Sequence, residues 1–183
     1  MNNAETIKSY YKLGEDINKY MNASYVIELT EKITEEGQPM TGLLNLLIDF
    51  LDSIENRKKN QSTLTLAYEI KALKHLGLVP ELSNCICCGR EIKTKQAFMN
   101  LSEGGITCPE CRRKTIENQD NEKLIYSLDF GIVDVLKYLL SNPMKNLEKV
   151  ALDEEVYRKL HRIIRNYLDY HMGIGSLKSE GFI

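Results

Sequence analysis

Apolar residues recur every three or four positions through most of the chain, which is the spacing of one buried face of an α-helix. The spacing predicts a helix over Ile7–Met21 and a second helix capped by Asn22. Two more helices follow, separated by the polar run "ENRKKNQS", which is predicted to be a linker. Gly77 and Pro80 are placed to end the fourth helix. The first eighty residues are therefore predicted to be helical.

The helical spacing stops over residues 81–114, where "QAFMNLSEGGIT" predicts two short strands joined by a Gly-Gly turn. It returns after Asn121, and a last helix is predicted to begin after its N-cap, Asp153. We therefore predict a mainly α fold, a helical bundle with an inserted cysteine-bearing β-hairpin. The bundle would comprise residues 1–80 and 115–183.

Composition narrows the function only slightly. A chain of 183 residues with 43% apolar residues can bury one core, and a net charge of −2 gives no overall attraction to nucleic acid. No secretory signal is evident, and the most apolar run, "LLNLLIDFL", is too short for a membrane span and contains Asp49. We therefore expect a cytoplasmic protein with no membrane partner. In that reducing compartment, paired cysteines are metal ligands or redox groups more often than disulfides.

All five cysteines fall between Cys85 and Cys111, and four of them form two C-x-x-C pairs with nineteen residues between the pairs. Each pair can place two thiolates on an ion, and a hairpin between the pairs would bring all four thiolates to the same ion. Zn²⁺ prefers four such ligands in a tetrahedron, with Zn–S distances of about 2.3 Å. The spacing predicts a Cys₄ zinc ribbon with the ligands Cys85, Cys88, Cys108 and Cys111.

Two alternatives concern the ligands and the ion. Cys87 could replace Cys88, but it would leave a C-x-C pair, and Gly89 favours the turn that Cys88 requires. Cys87 is therefore predicted to face outward. An iron–sulfur cluster also takes four cysteines, and the sequence leaves that possibility open. Four thiolates leave no open coordination position, so the ion is predicted to stabilise the fold and not to catalyse a reaction.

No catalytic residue is predicted. None of the three histidines, His75, His161 and His171, lies beside the cysteines in sequence, and His171 falls on the apolar face of the last helix. Phosphate-binding loops and nucleophile motifs are missing from the sequence. The chain is therefore predicted not to be an enzyme.

The last helix carries a candidate binding surface. Arg158, Arg162 and Arg165 are spaced to share one face, opposite the apolar side of the helix. Such a face could bind DNA phosphates or an acidic peptide, or it could be an ordinary solvated surface. The run Arg112–Lys114 after the second cysteine pair adds a further basic cluster.

Four segments together resemble the RecO family of bacterial DNA repair proteins: "ASYVIELTEKITEEGQP", "YEIKALKHLGLVPELSNCICCGR", "AFMNLSEGGITCPEC" and "LDYHMGIGSLKS". The resemblance runs from near Ile7 to the C-terminus. It implies a recombination mediator that binds single-stranded DNA and, with RecR, helps to load RecA onto DNA coated by single-strand binding protein. It also implies that the four cysteines correspond to the zinc motif of the family.

The resemblance has one departure. RecO proteins begin with an OB-fold, whereas no run of short alternating strands precedes Ile7 here, so we expect a fragment or a natural truncation. Such a chain would bind single-stranded DNA weakly or not at all, and would dock RecR or the acidic tail of single-strand binding protein. The alternatives are a zinc module that docks proteins only, or a cysteine-based redox or metal enzyme.

Overall fold

The computed structural model describes residues 5–93, 96–115 and 124–183. The parts of the predicted ranges that cover the other residues, including the return of helical spacing just after Asn121, lie outside the described residues. The described helices are α1 (Ile17–Ile33), α2 (Thr41–Asn56), α3 (Gln61–His75), α4 (Pro109–Thr115), α5 (Phe130–Ser141) and α6 (Glu154–Met172). The strands are β1 (Gln96–Asn100), β2 (Gly105–Thr107) and β3 (Ile125–Asp129). None of the described helices combines the length and the apolar content needed to cross a bilayer.

Helix α3 lies at the centre of the bundle and contacts α1, α2, α5 and α6. A surface helix buries one stripe, but α3 buries residues on all sides, including the polar residues Thr63, Thr65 and Glu69. These polar groups need hydrogen-bond partners from neighbouring segments of the chain. The prediction of a mainly helical chain interrupted by a cysteine-bearing β-hairpin is confirmed.

Helix α1 begins later than predicted and runs through Asn22. Its N-cap is Asp16, whose Oδ1 accepts the backbone N–H groups of Asn18 and Lys19 at 2.9 and 3.3 Å. The side chain of Asn22 instead donates to the carbonyl of Asn18 and accepts the hydroxyl of Thr65 on α3 at 2.6 Å. The predicted cap at Asn22 is therefore wrong, because this amide is satisfied inside the bundle.

The sheet has the order β2–β1–β3, and both pairs are antiparallel. Phe98 of β1 faces Thr107 of β2 on one side and Ser127 of β3 on the other. The strand β3 was not predicted, since the buried Leu128 falls four residues before Ile132 and so fits a helical spacing. The chain changes from strand to helix directly after Asp129.

Candidate metal centre

The two C-x-x-C pairs meet beside the β1–β2 hairpin. The Sγ atoms of Cys85, Cys88, Cys108 and Cys111 all lie within 4.8 Å of one another. Cys85 is buried, Cys108 and Cys111 are half-buried, and Cys88 is exposed, while no disulfide joins any of them. Four soft sulfur donors at this separation are the donor set that structural Zn²⁺ or an iron–sulfur cluster takes, so these residues fit such a group.

The first pair lies in a tight turn. The N–H of Cys85 donates to the carbonyl of Arg90 at 2.9 Å, and the N–H of Gly89 donates to the carbonyl of Cys85 at 2.8 Å. Gly89 has a φ of 69°, in the left-handed region that favours glycine. The residue after Cys88 therefore has the conformational freedom that the turn requires.

The second pair spans the end of the hairpin and the start of a helix. Cys108 follows β2 directly, and Cys111 lies in the first turn of α4. The chain from Glu81 to Ile86, which includes Cys85, runs along β2. The backbone N–H of Ile86 donates to the carbonyl of Ile106 at 3.0 Å, and the backbone N–H of Ile106 donates to the carbonyl of Glu81 at 2.9 Å. These bonds hold both pairs at one edge of the sheet.

Gly105 allows the chain before the first pair to approach β2 closely. A Cβ at this position would lie 2.5 Å from Cγ2 of Ile86 and 3.0 Å from the carbonyl oxygen of Glu81. Real Cβ atoms essentially never make contacts shorter than 3.0 Å. The second glycine of the Gly-Gly pair therefore allows the segment that carries Cys85 to lie close against β2.

Hydrogen bonds to sulfur favour the thiolate form at the first pair. Burial raises the pKa of Cys85, but backbone N–H groups, first that of Cys108, outweigh burial and bring this pKa below its ordinary value. The side chain of Arg90 is the main cause that lowers the pKa of Cys88, to about 6. Metal ligands are thiolates, so both effects favour metal binding.

The neighbouring sulfurs oppose ionisation of Cys111. The pKa of Cys111 is raised, first by its hydrogen bond with Cys108 and then by burial. Several thiolates this close repel one another unless a cation compensates them.

Cys87 is exposed and lies outside the group of four sulfurs.

The structure separates the three predicted arginines. Arg158 and Arg162 are exposed, and with Lys159 and three acidic residues they line a groove of about 580 Å³. Nε of Arg158 lies 2.9 Å from Oε1 of Glu154, one turn earlier on α6. We call the surface formed by the exposed Arg158 and Arg162 and the half-buried Lys159 the α6 basic face.

Arg165 does not belong to that face. It is only 6% exposed, its guanidinium donates to the carbonyl of Gly175, and Nε lies 3.4 Å from Oε1 of Glu180. The prediction that all three arginines share one exposed face is therefore wrong for Arg165, because the residues after α6 fold back and cover it. The helical spacing of the arginines does not indicate that the residues after α6 bury Arg165.

A second polar cluster, inside the bundle, was not predicted. The buried carboxylate of Glu69 accepts the hydroxyl of Tyr25 at 2.5 Å, and His161 lies beside it. The available signal was the position of Glu69 among the apolar residues of α3. His171 is half-buried, and its Nε2 lies 2.8 Å from the carbonyl oxygen of Leu101, where α6 meets the hairpin.

Comparisons with known proteins agree on one family. A family model described as "Recombination protein O C terminal" matches residues 14–181. The "DNA repair protein RecO" of Alkaliphilus metalliredigens is 27% identical over 172 residues, which are 94% of this chain and 67% of that protein.

Two further relatives carry the same name. The protein of Desulforamulus reducens is 29% identical over 92% of this chain and 62% of its own length. The protein of Shouchella clausii is 29% identical over 100% of this chain and 68% of its own length. This chain thus spans about two thirds of the length of these curated relatives, and it belongs to the RecO family through the region that the C-terminal family model describes.

Proposed function

We propose that this chain is the helical, zinc-holding part of a RecO-type recombination mediator that acts in DNA repair and is not an enzyme. The observation that carries the proposal is the match of the RecO C-terminal model to residues 14–181, a range that contains all four clustered cysteines. In this role the chain docks RecR and the acidic tail of single-strand binding protein, and contacts single-stranded DNA weakly. The mediator as a whole assists the loading of RecA.

The proposed ion is Zn²⁺, held by Cys85, Cys88, Cys108 and Cys111. Four thiolates saturate a tetrahedral ion, so it would supply structural stability and no site for a substrate. The residues around it hold the two cysteine pairs together at the edge of the sheet. This closed ligand set favours a docking protein over a cysteine-based redox or metal enzyme.

The α6 basic face is the proposed contact for an anionic partner. Arg162 is exposed, and Arg158 is held only by an exposed ion pair with Glu154, which contributes little and can be exchanged for a phosphate or a carboxylate. Three acidic residues, Asp153, Glu154 and Glu155, line the same groove and balance its three basic residues, so the groove has no net charge. We therefore expect weak binding that depends on salt.

The test is fluorescence anisotropy of the metal-loaded chain with labelled single-stranded DNA, and separately with an acidic tail peptide, across a salt series. Binding that weakens steeply with salt would support contact with phosphates. Arg158→Ala with Arg162→Ala should weaken binding several-fold. A variant with Lys12→Ala and Lys32→Ala removes the same charge from exposed positions elsewhere and should bind like the wild type.

Each result separates the candidate roles. Peptide or RecR binding without DNA binding would identify a module that docks proteins only. If the arginine and lysine variants bind both probes equally, the α6 basic face is not the contact. If the chain binds neither DNA, peptide nor RecR, the proposed function is overturned.

A further inference from the structure

The carboxylate of Glu69 is fully buried between α1 and α6. Its Oε1 accepts the Tyr25 hydroxyl at 2.5 Å and lies 2.8 Å from Nδ1 of His161. An ionised carboxylate in such surroundings is costly unless a positive charge compensates it. The imidazole of His161 is a contacting group that can supply this charge by taking up a proton.

The contact between His161 and Glu69 depends on charge more than on hydrogen-bond geometry. Nδ1 is close to Oε1 but is not aligned for a hydrogen bond. Across residues 5–93, 96–115 and 124–183, the buried side-chain N and O atoms without a hydrogen-bond partner are Glu69 Oε2, Tyr157 Oη, His161 Nδ1 and Arg165 Nε. Unsatisfied polarity in the described bundle is therefore concentrated around one imidazole.

The same cluster reaches the C-terminal segment, defined here as residues 173–183. Arg165 donates to the carbonyl of Gly175, and its Nε lies 3.4 Å from the carboxylate of Glu180. On the far side of the segment, Glu28 of α1 accepts the backbone N–H groups of Lys178 and Ser179, both at 2.9 Å. Charged groups on α1 and α6 thus hold the segment in place.

The charges of the cluster balance only when His161 is protonated. Glu69 and Glu180 contribute two negative charges, and Arg165 contributes one positive charge. The phenols stay neutral, since burial is the main cause that raises the pKa of both Tyr25 and Tyr157. A neutral imidazole would leave one buried negative charge without a counter-charge.

The surroundings of His161 favour its protonated form. Burial lowers the pKa of His161, but the Glu69 carboxylate outweighs burial and the net shift is upward. Glu180 acts in the same direction, and Arg165 opposes it. The stabilisation from the proton is therefore complete below the ordinary histidine pKa and is lost as the pH rises through the raised value.

We propose that protonation of His161 holds the C-terminal segment against α1 and α6, as a proton-dependent latch. When the proton leaves, the carboxylates of Glu69 and Glu180 share only the positive charge of Arg165, one negative charge is left without a counter-charge, and the segment is released. Release exposes Ile174 and Leu177, which are buried in the closed form. This inference does not rest on the proposed function.

The test is amide hydrogen exchange of the full metal-loaded chain at about pH 6 and about pH 8.5, corrected for the intrinsic exchange rate. The reporters are the amides of Gly175, Lys178 and Ser179, which donate to carboxylates in the closed form. In the wild type we expect corrected exchange to be several-fold faster at the higher pH. Equal corrected exchange at both pH values would overturn the proposal.

Two variants assign the effect to His161. His161→Gln removes the titrating group and should give fast exchange that no longer varies with pH after correction. His171→Gln changes another histidine of α6, outside the cluster, and should keep the wild-type dependence. A His161→Gln variant that kept the wild-type dependence would overturn the latch.

A third variant keeps the test open if His161→Gln does not fold. Glu180→Gln removes only a partly exposed carboxylate from the segment. It should lower the midpoint of the His161 titration followed by NMR, because it removes one of the two negative charges around the imidazole. An unchanged midpoint would show that the segment and the imidazole are not coupled.

Discussion

The backbone N–H of Cys108 donates to the Sγ of Cys85 at 3.4 Å, so the first residue of one pair is bonded to the first residue of the other. Replacing Cys85 and Cys108 by Ser should abolish binding of the proposed metal ion and destabilise the hairpin, because metal binding and folding are coupled in such modules. Metal content by elemental analysis and the melting temperature measure both effects.

Cys87 provides the matched control. It is exposed and outside the group of four sulfurs, so Cys87→Ser should retain one metal per chain and the wild-type melting temperature. Elemental analysis and the visible spectrum also separate colourless zinc from a coloured iron–sulfur cluster. Full metal retention in the double variant would overturn the ligand assignment.

The grouping of the four cysteines was predictable, because two C-x-x-C pairs on either side of a short hairpin can be recognised from local spacing. The burial of the charged residues was not predictable, because each of them bonds to a segment that is distant in sequence. Arg57 lies in a run that was predicted to be a polar linker, and Arg165 has the spacing of an exposed face. Both are buried, and each donates to a carbonyl at least ten positions away. A polar residue in the sequence indicates an exposed side chain only when no other part of the chain supplies its hydrogen-bond partners.

Gly105→Ala should loosen the link between the hairpin and the first cysteine pair. The new Cβ would collide with Ile86 and the backbone of Glu81, and overpacking of this kind typically costs about 1–3 kcal/mol. We expect a lower free energy of unfolding and faster loss of metal to a chelator. Both can be followed by denaturant titration and by chelator competition.

Gly131 serves as the control for this substitution. It lies in α5, and a Cβ there meets nothing within 4 Å. Gly131→Ala should therefore be neutral or raise the free energy of unfolding by about 0.5–1 kcal/mol, since alanine favours helix. If both alanine variants behaved alike, close approach at Gly105 would not be what holds the cysteine pairs together.

Glu28 should keep its charge, and with it its hydrogen bonds to the closed C-terminal segment, down to low pH. The Ser179 hydroxyl, the backbone N–H of Lys178 and that of Ser179 lower the pKa of this carboxyl to about 2. The stabilisation is present above the ordinary carboxyl pKa and is lost only as the pH falls through the lowered value. Exchange of the Ser179 amide should therefore show no loss of this anchor between pH 7 and pH 5.

The variant Glu28→Gln keeps the shape of the side chain but removes its charge. At pH 7 we expect faster exchange of the Lys178 and Ser179 amides, because a neutral oxygen is a weaker acceptor than a carboxylate. Glu31→Gln changes an exposed carboxyl on the same helix and should leave these amides unchanged. Equal exchange in the two variants would contradict the anchor.

Arg57 joins the end of α2 to a loop about ninety residues later. Its Nε donates to the carbonyls of Lys59 and Asn60 at 2.7 and 2.8 Å, and its Nη1 donates to those of Leu147 and Glu148 at 2.9 and 2.7 Å. The side chain is only 4% exposed, and burial is the main cause that lowers its pKa. One guanidinium thus satisfies carbonyls in two separate loops.

Arg57→Met should destabilise the chain by about 3 kcal/mol or more, because each buried carbonyl left without a donor costs about 1–3 kcal/mol. Arg57→Lys keeps the positive charge, but lysine lacks the planar guanidinium that donates to both loops at once. We therefore expect a loss in the free energy of unfolding that is smaller than that of Arg57→Met. Lys58→Met removes a neighbouring exposed charge and should change the free energy of unfolding by less than about 0.5 kcal/mol. Urea unfolding of the three variants gives the order of their free energies of unfolding. If the Arg57→Met chain were as stable as the Lys58→Met chain, the two loops would hold their positions without the guanidinium.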